Sequence, residues 1–327
     1  MNIPGRSDAR QGNGEALEPV VVVGPGAVGG LLAALMWRAG IDVTCIASPR
    51  SAGVLASEGL RLESAAFGDF FARPRVVERL TDDRPGVVFV TTKAPQLDTA
   101  MKDLDPCLLE QAIIVPLLNG FEHLARLRRR FGPRVAAGTI GRVEVYRRSP
   151  SHVVHTTPGA RIEVASDGDV GRSRLNAVTA LLNHAGMDAV VLDSEAAVMW
   201  GKLVRLSAIA CATAASGMPV GRVRADLHWR RRLEGAVREA AQVAVAEGLR
   251  VDPSEVMRQI DSLPDALETS LQRDVLAGRT GELDAVAGAI VRAGARHGID
   301  CPTINGLVEQ VAARADKAAG PRRRQAV

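Results

Sequence analysis

The chain has 327 residues, of which 46% are hydrophobic and 3% aromatic; this apolar content suffices for packed cores and excludes a disordered or fibrous protein. At this length two domains are expected, and no apolar run approaches the roughly 20 residues that cross a bilayer. A net charge of +4 arises from 41 Lys and Arg against 37 Asp and Glu, and the arginine runs are scattered without interleaved aromatics, which predicts solvated faces rather than nucleic-acid binding.

The first 18 residues contain no apolar stretch typical of a signal peptide and are predicted to be a disordered tail. The chain has four cysteines that lie far apart, without CxxC spacing or nearby histidine ligands: Cys45, Cys107, Cys211 and Cys301. This pattern predicts neither a metal site nor a disulfide framework and favours a reducing, cytoplasmic location.

An α/β domain is predicted over residues 19–192. Its first strand is the β-branched run 19–23, and a glycine turn, an apolar helix (27–39) and a second strand (41–47) follow. This βαβ order implies a parallel sheet. The other predicted elements are strands at 87–91, 112–115, 135–138, 142–146, 152–156, 161–165 and 188–192, some of them in antiparallel pairs, and helices at 95–104 and 174–185.

From Ser194 onward the pattern is helical, with Ser194 as a candidate N-cap for a long helix to about residue 215. Further helices are predicted at 227–247, 254–261, 283–297 and 303–318. The domain prediction is therefore a helical domain over 193–318 and a basic tail over 319–327. The fold class is an N-terminal Rossmann-type dinucleotide-binding domain followed by an all-α C-terminal domain.

A glycine-rich motif follows the first predicted strand: Gly24, Pro25, Gly26, Ala27, Val28 and Gly29, which fits G-x-G-x-x-G. The first glycine permits the tight turn, the second lets backbone N–H groups approach a pyrophosphate, and the third allows close helix–strand packing. Its position between a strand and a helix predicts a dinucleotide site at the helix N-terminus.

The end of the second strand indicates which cofactor binds there. NAD enzymes place a carboxylate at this point for the ribose 2′-hydroxyl, but here the chain offers Ser48 and Arg50 instead. A hydroxyl and a guanidinium suit a 2′-phosphate, so NADPH is the predicted cofactor. The alternative is that Arg50 is an exposed loop residue.

Five blocks in order resemble the ketopantoate reductase (2-dehydropantoate 2-reductase) family over about residues 19–316. They are the glycine motif, Thr91-Thr92-Lys93-Ala94, Leu118-Asn119-Gly120, Trp200-Gly201-Lys202-Leu203, and the pair Ser270-Leu271-Gln272-Arg273-Asp274 with Glu282-Leu283-Asp284. The resemblance implies NADPH-dependent reduction of a 2-oxo acid, with Lys202 as the catalytic lysine. It also implies that Lys93 lies near cofactor and substrate and that a homodimer can form.

The chemistry is consistent with these residues. Hydride addition to a ketone leaves an alkoxide, which needs a proton donor and a positive field. Lys202 follows an apolar stretch that can lower its pKa by desolvation, and Glu282 is predicted to orient its ammonium or bind the substrate oxygen. Ser270 is a candidate donor to the substrate carboxylate or an N-cap. Lys93 and Asn119 are candidates for both cofactor and substrate binding, or are turn residues.

The chain departs from the family pattern on the helix of Lys202. Family members carry asparagines four and eight residues after the lysine, where this chain has Leu206 and Ala210. Arg205, one turn from the lysine, is a candidate replacement that grips the substrate carboxylate. The first hypothesis is therefore a reductase of ketopantoate in pantothenate biosynthesis. The alternatives are a reductase of a more apolar 2-oxo acid or imine, and a non-catalytic NADPH-binding sensor.

Overall fold

The computed structural model describes residues 17–323. Its strands are β1 Val20–Val23, β2 Val43–Ile46, β3 Leu60–Ser64, β4 Phe70–Ala72, β5 Arg75–Val77, β6 Val87–Val90, β7 Ile113–Pro116, β8 Ala137–Gly141, β9 Val145–Ser149, β10 His152–His155, β11 Arg161–Ala165 and β12 Asp188–Val191. Its helices are α1 Ala27–Arg38, α2 Pro49–Glu58, α3 Leu97–Lys102, α4 His123–Phe131, α5 Arg172–His184, α6 Glu195–Ser216, α7 Val220–Ala225, α8 Leu227–Ala246, α9 Pro253–Asp261, α10 Ser270–Leu276, α11 Ala289–Arg296 and α12 Pro302–Arg323. A π-helical stretch, Asp284–Gly288, leads into α11.

The main sheet is parallel and has the strand order β5-β2-β1-β6-β7. Strand β1 lies at its centre, with Val20 and Val22 in one hydrophobic core and Val21 and Val23 in the other. Burial on both faces explains why its sequence is a continuous β-branched run. The strand order reverses beside β1, so a crevice opens beyond the carboxyl ends of β1 and β6, where ligands bind in such sheets. The predicted Rossmann-type domain is confirmed.

Two smaller sheets complete the α/β half, with the orders β4-β3-β10-β9 and β12-β11-β8. The predicted antiparallel pairs occur between β9 and β10 and between β8 and β11. The strand predicted at 142–146 begins later, at Val145, because Arg142 adopts a φ of 50° that breaks the extended backbone. Strands β3–β5 and helices α2, α4, α7 and α10 are not among the predicted elements; of these, β4, β5, α7 and α10 span only three to seven residues, too few for a clear periodicity.

The helical half is built around α6. Ser194 caps it as predicted, because its Oγ accepts the N–H of Ala197 at 3.1 Å, and Gly217 ends it with a φ of 74°. By length and composition α6 is long and apolar enough to cross a membrane, but 67% of its most apolar stretch is buried inside the protein. Helices α8, α10 and α12 pack against it. It is therefore the core helix of this half.

The two halves share one core. The face of the main sheet that carries Val21 and Val23 belongs to the same hydrophobic cluster as the inner faces of α6, α8 and α12. The change from strands to helices falls between Val191 and Glu195, near the predicted boundary. This shared core holds the carboxyl ends of the strands against the helical half.

Three expectations at the edges of the domains are corrected. Leu17, which lies in the predicted tail, is buried in the hydrophobic core that contains Val20 and Val22, with its backbone against Gly86. Helix α12 continues to Arg323, into the segment predicted as a basic tail. The helix predicted over 283–297 is divided into the π-helical stretch and α11. The remaining tail predictions, for 1–16 and 324–327, lie outside the described residues.

Candidate active site

The glycine motif forms the turn from β1 into α1. Gly24 has a φ of +81°, and a Cβ built on it would lie 2.7 Å from Thr92 Cγ2. A Cβ on Gly29 would lie 2.3 Å from Thr91 Oγ1, so the third glycine is needed for close packing on β6. The nearest atom to a Cβ on Gly26, in contrast, is the Gly24 carbonyl oxygen at 3.8 Å. Packing therefore explains the first and third glycines, while the second borders open space.

This open space suits a pyrophosphate. Pro25 is buried, and Ala27 and Val28 are the first residues of α1, so their N–H groups belong to the unpaired donors of a helix start. Gly26 provides no side-chain cap, and the first turn of α1 contains no acidic residue that would repel phosphate. The residues present thus fit a dinucleotide at the positive end of this 12-residue helix.

Ser48 and Arg50 lie at the start of α2, immediately beyond the carboxyl end of β2. Ser48 is the N-cap and Arg50 stands in the first turn, so Arg50 is a helix residue and not a loop residue as the alternative interpretation held. Both side chains are exposed, and among residues 17–323 no acceptor pairs with the Arg50 guanidinium. The sequence prediction of a 2′-phosphate site is therefore compatible with their placement.

Lys202, Asn119 and Glu282 form a hydrogen-bonded chain across the cleft between the two halves. Lys202 Nζ donates to Asn119 Oδ1 at 2.9 Å and to the Ile140 carbonyl at 2.7 Å. Asn119 Nδ2 donates in turn to Glu282 Oε2 at 2.9 Å, and Glu282 Oε1 accepts the N–H of Ala94 at 3.3 Å. The sequence predicted that Glu282 orients the ammonium directly. In the structure Asn119 lies between the two groups and contacts both.

Packing of the loop after β7 explains how this chain is assembled. The rings of Phe121 in that loop and Trp200 in α6 lie 4.9 Å apart, which places the neighbouring Asn119 and Lys202 side by side. Gly120 has a φ of +88°, and a Cβ there would lie 2.3 Å from the Ala285 carbonyl oxygen. The asparagine–glycine pair therefore allows the loop to approach the π-helical stretch that follows Glu282.

The pKa of Lys202 is suited to proton donation near neutral pH. Burial lowers it from the ordinary value of 10.5 to about 8; Arg205 acts in the same direction, while the charges of Glu282 and Glu163 oppose the shift. An ammonium with a pKa near the working pH is an efficient general acid. The geometry and the pKa thus both mark Lys202 as the candidate proton donor.

We expect a pH profile that follows from this pKa. Reduction needs protonated Lys202, so kcat/KM is expected to fall as the pH rises through about 8. Replacing Glu282 by Gln removes a charge that raises the pKa of Lys202, so this descending limb is expected to move to lower pH. The measurement is kcat/KM against pH for both proteins. A limb that stays in place in the Gln variant would exclude electrostatic coupling between the two residues.

Lys93 forms a second contact across the cleft. It lies three residues beyond the carboxyl end of β6, and its Nζ lies 2.9 Å from Asp274 Oδ2 in α10. Ser270 begins α10 one turn before Asp274, and it is exposed; the N-cap is Thr269, so the N-cap interpretation of Ser270 is wrong. Residues four apart share a helix face, so Ser270 stands on the face of α10 that carries Asp274.

A small cavity lies beside Lys202. Its volume of about 10 Å³ is that of about one water molecule, so it is too small for a 2-oxo acid as it stands. The cavity is lined by Leu118, Asn119, Gly120, Thr139, Met199, Lys202, Leu203 and Leu206. Of the two residues that replace the family's asparagines, Leu206 faces this cavity, whereas Ala210 is buried in the core at 3% exposure. A wider, open depression between α8 and α9 contains none of the predicted site residues.

Arg205 is partly committed to another contact. Its Nη1 donates to Gln259 Oε1 at 3.2 Å, which leaves its other donors for an anion.

Three residues near the cleft are not among the site residues predicted from sequence: Asp274, Thr139 and Arg142. Asp274 stood inside a quoted motif, but no local signal marked the other two. Among residues 17–323 no group of three His, Cys, Asp or Glu side chains is placed to hold a metal ion.

A glycine-rich dinucleotide cradle beside a buried lysine, with an all-α half closing the cleft, defines a nicotinamide-dependent oxidoreductase. The sequence matches two family models. The model described as "Ketopantoate reductase PanE/ApbA" matches residues 20–166, and the model described as "Ketopantoate reductase PanE/ApbA C terminal" matches residues 196–315. The chain therefore belongs to the ketopantoate reductase family, whose enzymes reduce 2-oxo acids with NADPH.

Individual relatives agree with this assignment. The 2-dehydropantoate 2-reductase of Caulobacter vibrioides is 30% identical over 295 residues, which cover 86% of this chain and 94% of that protein. A ketopantoate reductase structure from Ralstonia eutropha JMP134 is 26% identical, with a TM-score of 0.80 over 91% of this chain and 99% of that one. D-mandelate dehydrogenase, solved with NADH and anilino(oxo)acetate, shares the fold with a TM-score of 0.84 at 20% identity over 91% of this chain and 99% of that one.

Proposed function

We propose that this protein reduces ketopantoate to pantoate with NADPH, and so acts in pantothenate biosynthesis. The observation that carries the proposal is the Lys202–Asn119–Glu282 chain beside the glycine loop. Glu282 in this chain accepts the N–H of Ala94, two residues from Thr92, against which Gly24 of the loop packs, and the proton donor Lys202 has a pKa of about 8. A cytoplasmic location and a homodimer stay predictions from sequence and family.

Each polar residue of the cleft has a defined task in this proposal. NADPH, when bound, supplies the hydride that adds to C2 of the 2-oxo acid. Lys202 donates its proton to the developing alkoxide and provides positive charge in a site with little water. Asn119 holds the ammonium, and Glu282 fixes the Asn119 amide with its Nδ2 toward the helical half. Lys93 is proposed to contact cofactor and substrate from the end of β6.

The substrate carboxylate is proposed to bind Arg205 and Ser270. Arg205 stands one turn after Lys202 on α6. Burial lowers the pKa of Arg205, the charge of Arg142 lowers it further and the charge of Glu163 opposes the shift, so we propose that a substrate anion adds to the compensation of the two guanidiniums. Ser270 offers a hydroxyl donor from α10. Arg142 is thereby added to the carboxylate-binding residues.

The cofactor preference is tested at Arg50. Replacing Arg50 by Ala removes a charge-assisted hydrogen bond to the 2′-phosphate, which is worth about 1.5–3 kcal/mol or roughly 10-fold to 150-fold in Kd. The Kd for NADPH is therefore expected to rise by that factor, while the Kd for NADH stays constant and provides the internal control. Fluorescence titration measures both. Equal losses for the two cofactors would instead indicate a general effect on the fold of the site.

A second candidate function is reduction of an apolar 2-oxo acid. Leu118 and Leu206 line the cavity where the family carries amides, so a substrate hydroxyl directed at them would lose its hydrogen bonds. A site that binds a hydroxyl rejects the analogue that lacks it by about 10⁴-fold, whereas an apolar site rejects the hydroxylated substrate only weakly. The two candidate functions therefore predict different preferences between a substrate that carries this hydroxyl group and one that lacks it.

The deciding experiment compares ketopantoate with 3,3-dimethyl-2-oxobutanoate, which differs from it by that hydroxyl alone. Strong preference for ketopantoate in an NADPH oxidation assay supports the first candidate, and equal or reversed preference supports the second. In Leu206→Asn the ratio of kcat/KM is expected to move toward ketopantoate by roughly 2-fold to 10-fold, the effect of one hydrogen bond. Leu206→Met is the matched control and leaves the ratio unchanged. A shift in the control equal to that in Leu206→Asn would contradict a polar effect.

A further inference from the structure

Asp274 joins three segments of the chain. The residue is buried, and its carboxylate accepts Lys93 Nζ at 2.9 Å from the α/β half. Its other oxygen accepts Arg279 Nη2 at 2.6 Å and Nε at 3.2 Å, and its backbone carbonyl accepts the N–H of Arg279 at 2.9 Å. A buried carboxylate with this many donors is held in one position.

The turn that leads to Glu282 is wrapped around this carboxylate. Gly281 has a φ of +54°, and a Cβ on it would lie 2.6 Å from Asp274 Oδ2. The turn thus passes against the carboxylate, and the next residue, Glu282, extends to Asn119 and to the N–H of Ala94. Because a larger residue at 281 would collide with Asp274, the position of Glu282 depends on Asp274.

Two consecutive residues of the α/β half therefore hold two carboxylates of the helical half. Lys93 binds Asp274 through its side chain, and Ala94 binds Glu282 through its backbone N–H. The Lys93 side chain is 54% exposed, whereas that of Asp274 is 9% exposed, so the ordered partner is the carboxylate.

We propose that Asp274 is a positioning residue that sets the register of Lys93 and Glu282 across the catalytic cleft. The proposal rests on the proposed function, since Lys93 and Glu282 act on cofactor and substrate there. Asp274 itself acts through its two neighbours: it fixes the ammonium of Lys93 and the turn that carries Glu282. A displacement of about 1 Å at such a site costs up to about 100-fold in rate.

The charges around Asp274 agree with this role. Burial raises the pKa of its carboxyl, but the hydrogen bonds and charges of Lys93 and Arg279 outweigh burial and hold the pKa below its ordinary value. The carboxylate therefore stays ionised at neutral pH and keeps both cations.

The test is Asp274→Asn, which keeps the size of the side chain and removes its charge. We expect kcat to fall by about 10-fold to 100-fold, with a much smaller change in the KM for NADPH. Hydrogen exchange of the Ala94 amide, measured by mass spectrometry on ligand-free protein, is expected to accelerate by about 10-fold or more because Glu282 loosens. In a double-mutant cycle, Lys93→Gln combined with Asp274→Asn is expected to lose less activity than the product of the two single losses, because part of the effect of Asp274 passes through Lys93.

Arg279→Gln is the comparison variant, because it leaves the contact between Lys93 and Asp274 in place and removes only the second cation, and its kcat is expected to fall by less than that of Asp274→Asn. Additive losses in the cycle, or unchanged Ala94 exchange in Asp274→Asn, would overturn the proposal. The Lys93 side chain is half exposed, so Lys93→Gln is expected to fold and provides a second test if Asp274→Asn folds poorly. A normal kcat together with normal Ala94 exchange in Lys93→Gln would also overturn the proposal. If the wild type turns over no 2-oxo acid, the proposed function fails, and the exchange of Ala94 alone decides the role of Asp274.

Discussion

Replacing Lys202 by Ala is expected to lower kcat for 2-oxo acid reduction by about 10²-fold to 10⁴-fold, the usual contribution of a general acid. The ammonium lies beside Asn119 in the cleft, and its pKa of about 8 leaves it protonated at neutral pH. Without it the alkoxide that forms at C2 has neither a proton source nor a compensating charge. Steady-state NADPH oxidation with a saturating 2-oxo acid measures the effect.

Binding and stability separate this loss from damage to the fold. The substitution leaves Asn119 Oδ1 and the Ile140 carbonyl without their donor, so the free energy of unfolding is expected to fall by about 1–3 kcal/mol. The Kd for NADPH is expected to remain near that of the wild type, and Lys202→Met, which keeps the chain length, should lose as much activity. Near-normal turnover in either variant would contradict the proposed mechanism. Tight NADPH binding by a wild type that turns over no substrate would support a sensor instead.

Replacing Gly26 by Val is expected to weaken NADPH binding by about 100-fold or more, because the new side chain occupies the space where backbone N–H groups approach the pyrophosphate. Among residues 17–323, apart from Gly26 and its two chain neighbours, the only atom within 4 Å of a Cβ at this position is the Gly24 carbonyl oxygen, at 3.8 Å. The protein itself therefore tolerates the substitution, apart from about 1 kcal/mol for the poorer N-cap. Titration of NADPH fluorescence and thermal unfolding measure the two quantities.

Gly29→Val is the matched comparison in the same loop. The new Cβ would lie 2.3 Å from Thr91 Oγ1 and 2.5 Å from the Gly24 carbonyl oxygen. The main effect of Gly29→Val is therefore expected to be a lower free energy of unfolding rather than a direct loss of phosphate contacts. The two variants thus divide one motif into a ligand-facing glycine and a packing glycine. Equal NADPH affinity in Gly26→Val and wild type would show that the phosphates bind elsewhere.

Sequence alone determined the features that depend on neighbouring residues. The β-branched run, the turn and the apolar helix specify the βαβ unit because the pattern of burial repeats over a few residues. The cap at Ser194 and the glycine motif are likewise local, and both lie where predicted. Short strands and helices such as β5, α7 and α10 were missed because segments of three to seven residues carry too little periodicity.

Tertiary structure decided how the site residues meet. Lys93 contacts Asp274 across 181 positions of the chain, and Asn119 contacts Glu282 across 163, so no local pattern could specify either pair. Leu206 and Ala210 look equivalent as one face of a helix, yet one lines the cavity and the other is buried in the core. Sequence supplied the chemical groups of the cleft. Packing of the two halves on one shared core decided which of them touch, because contact between distant segments depends on how whole faces are buried.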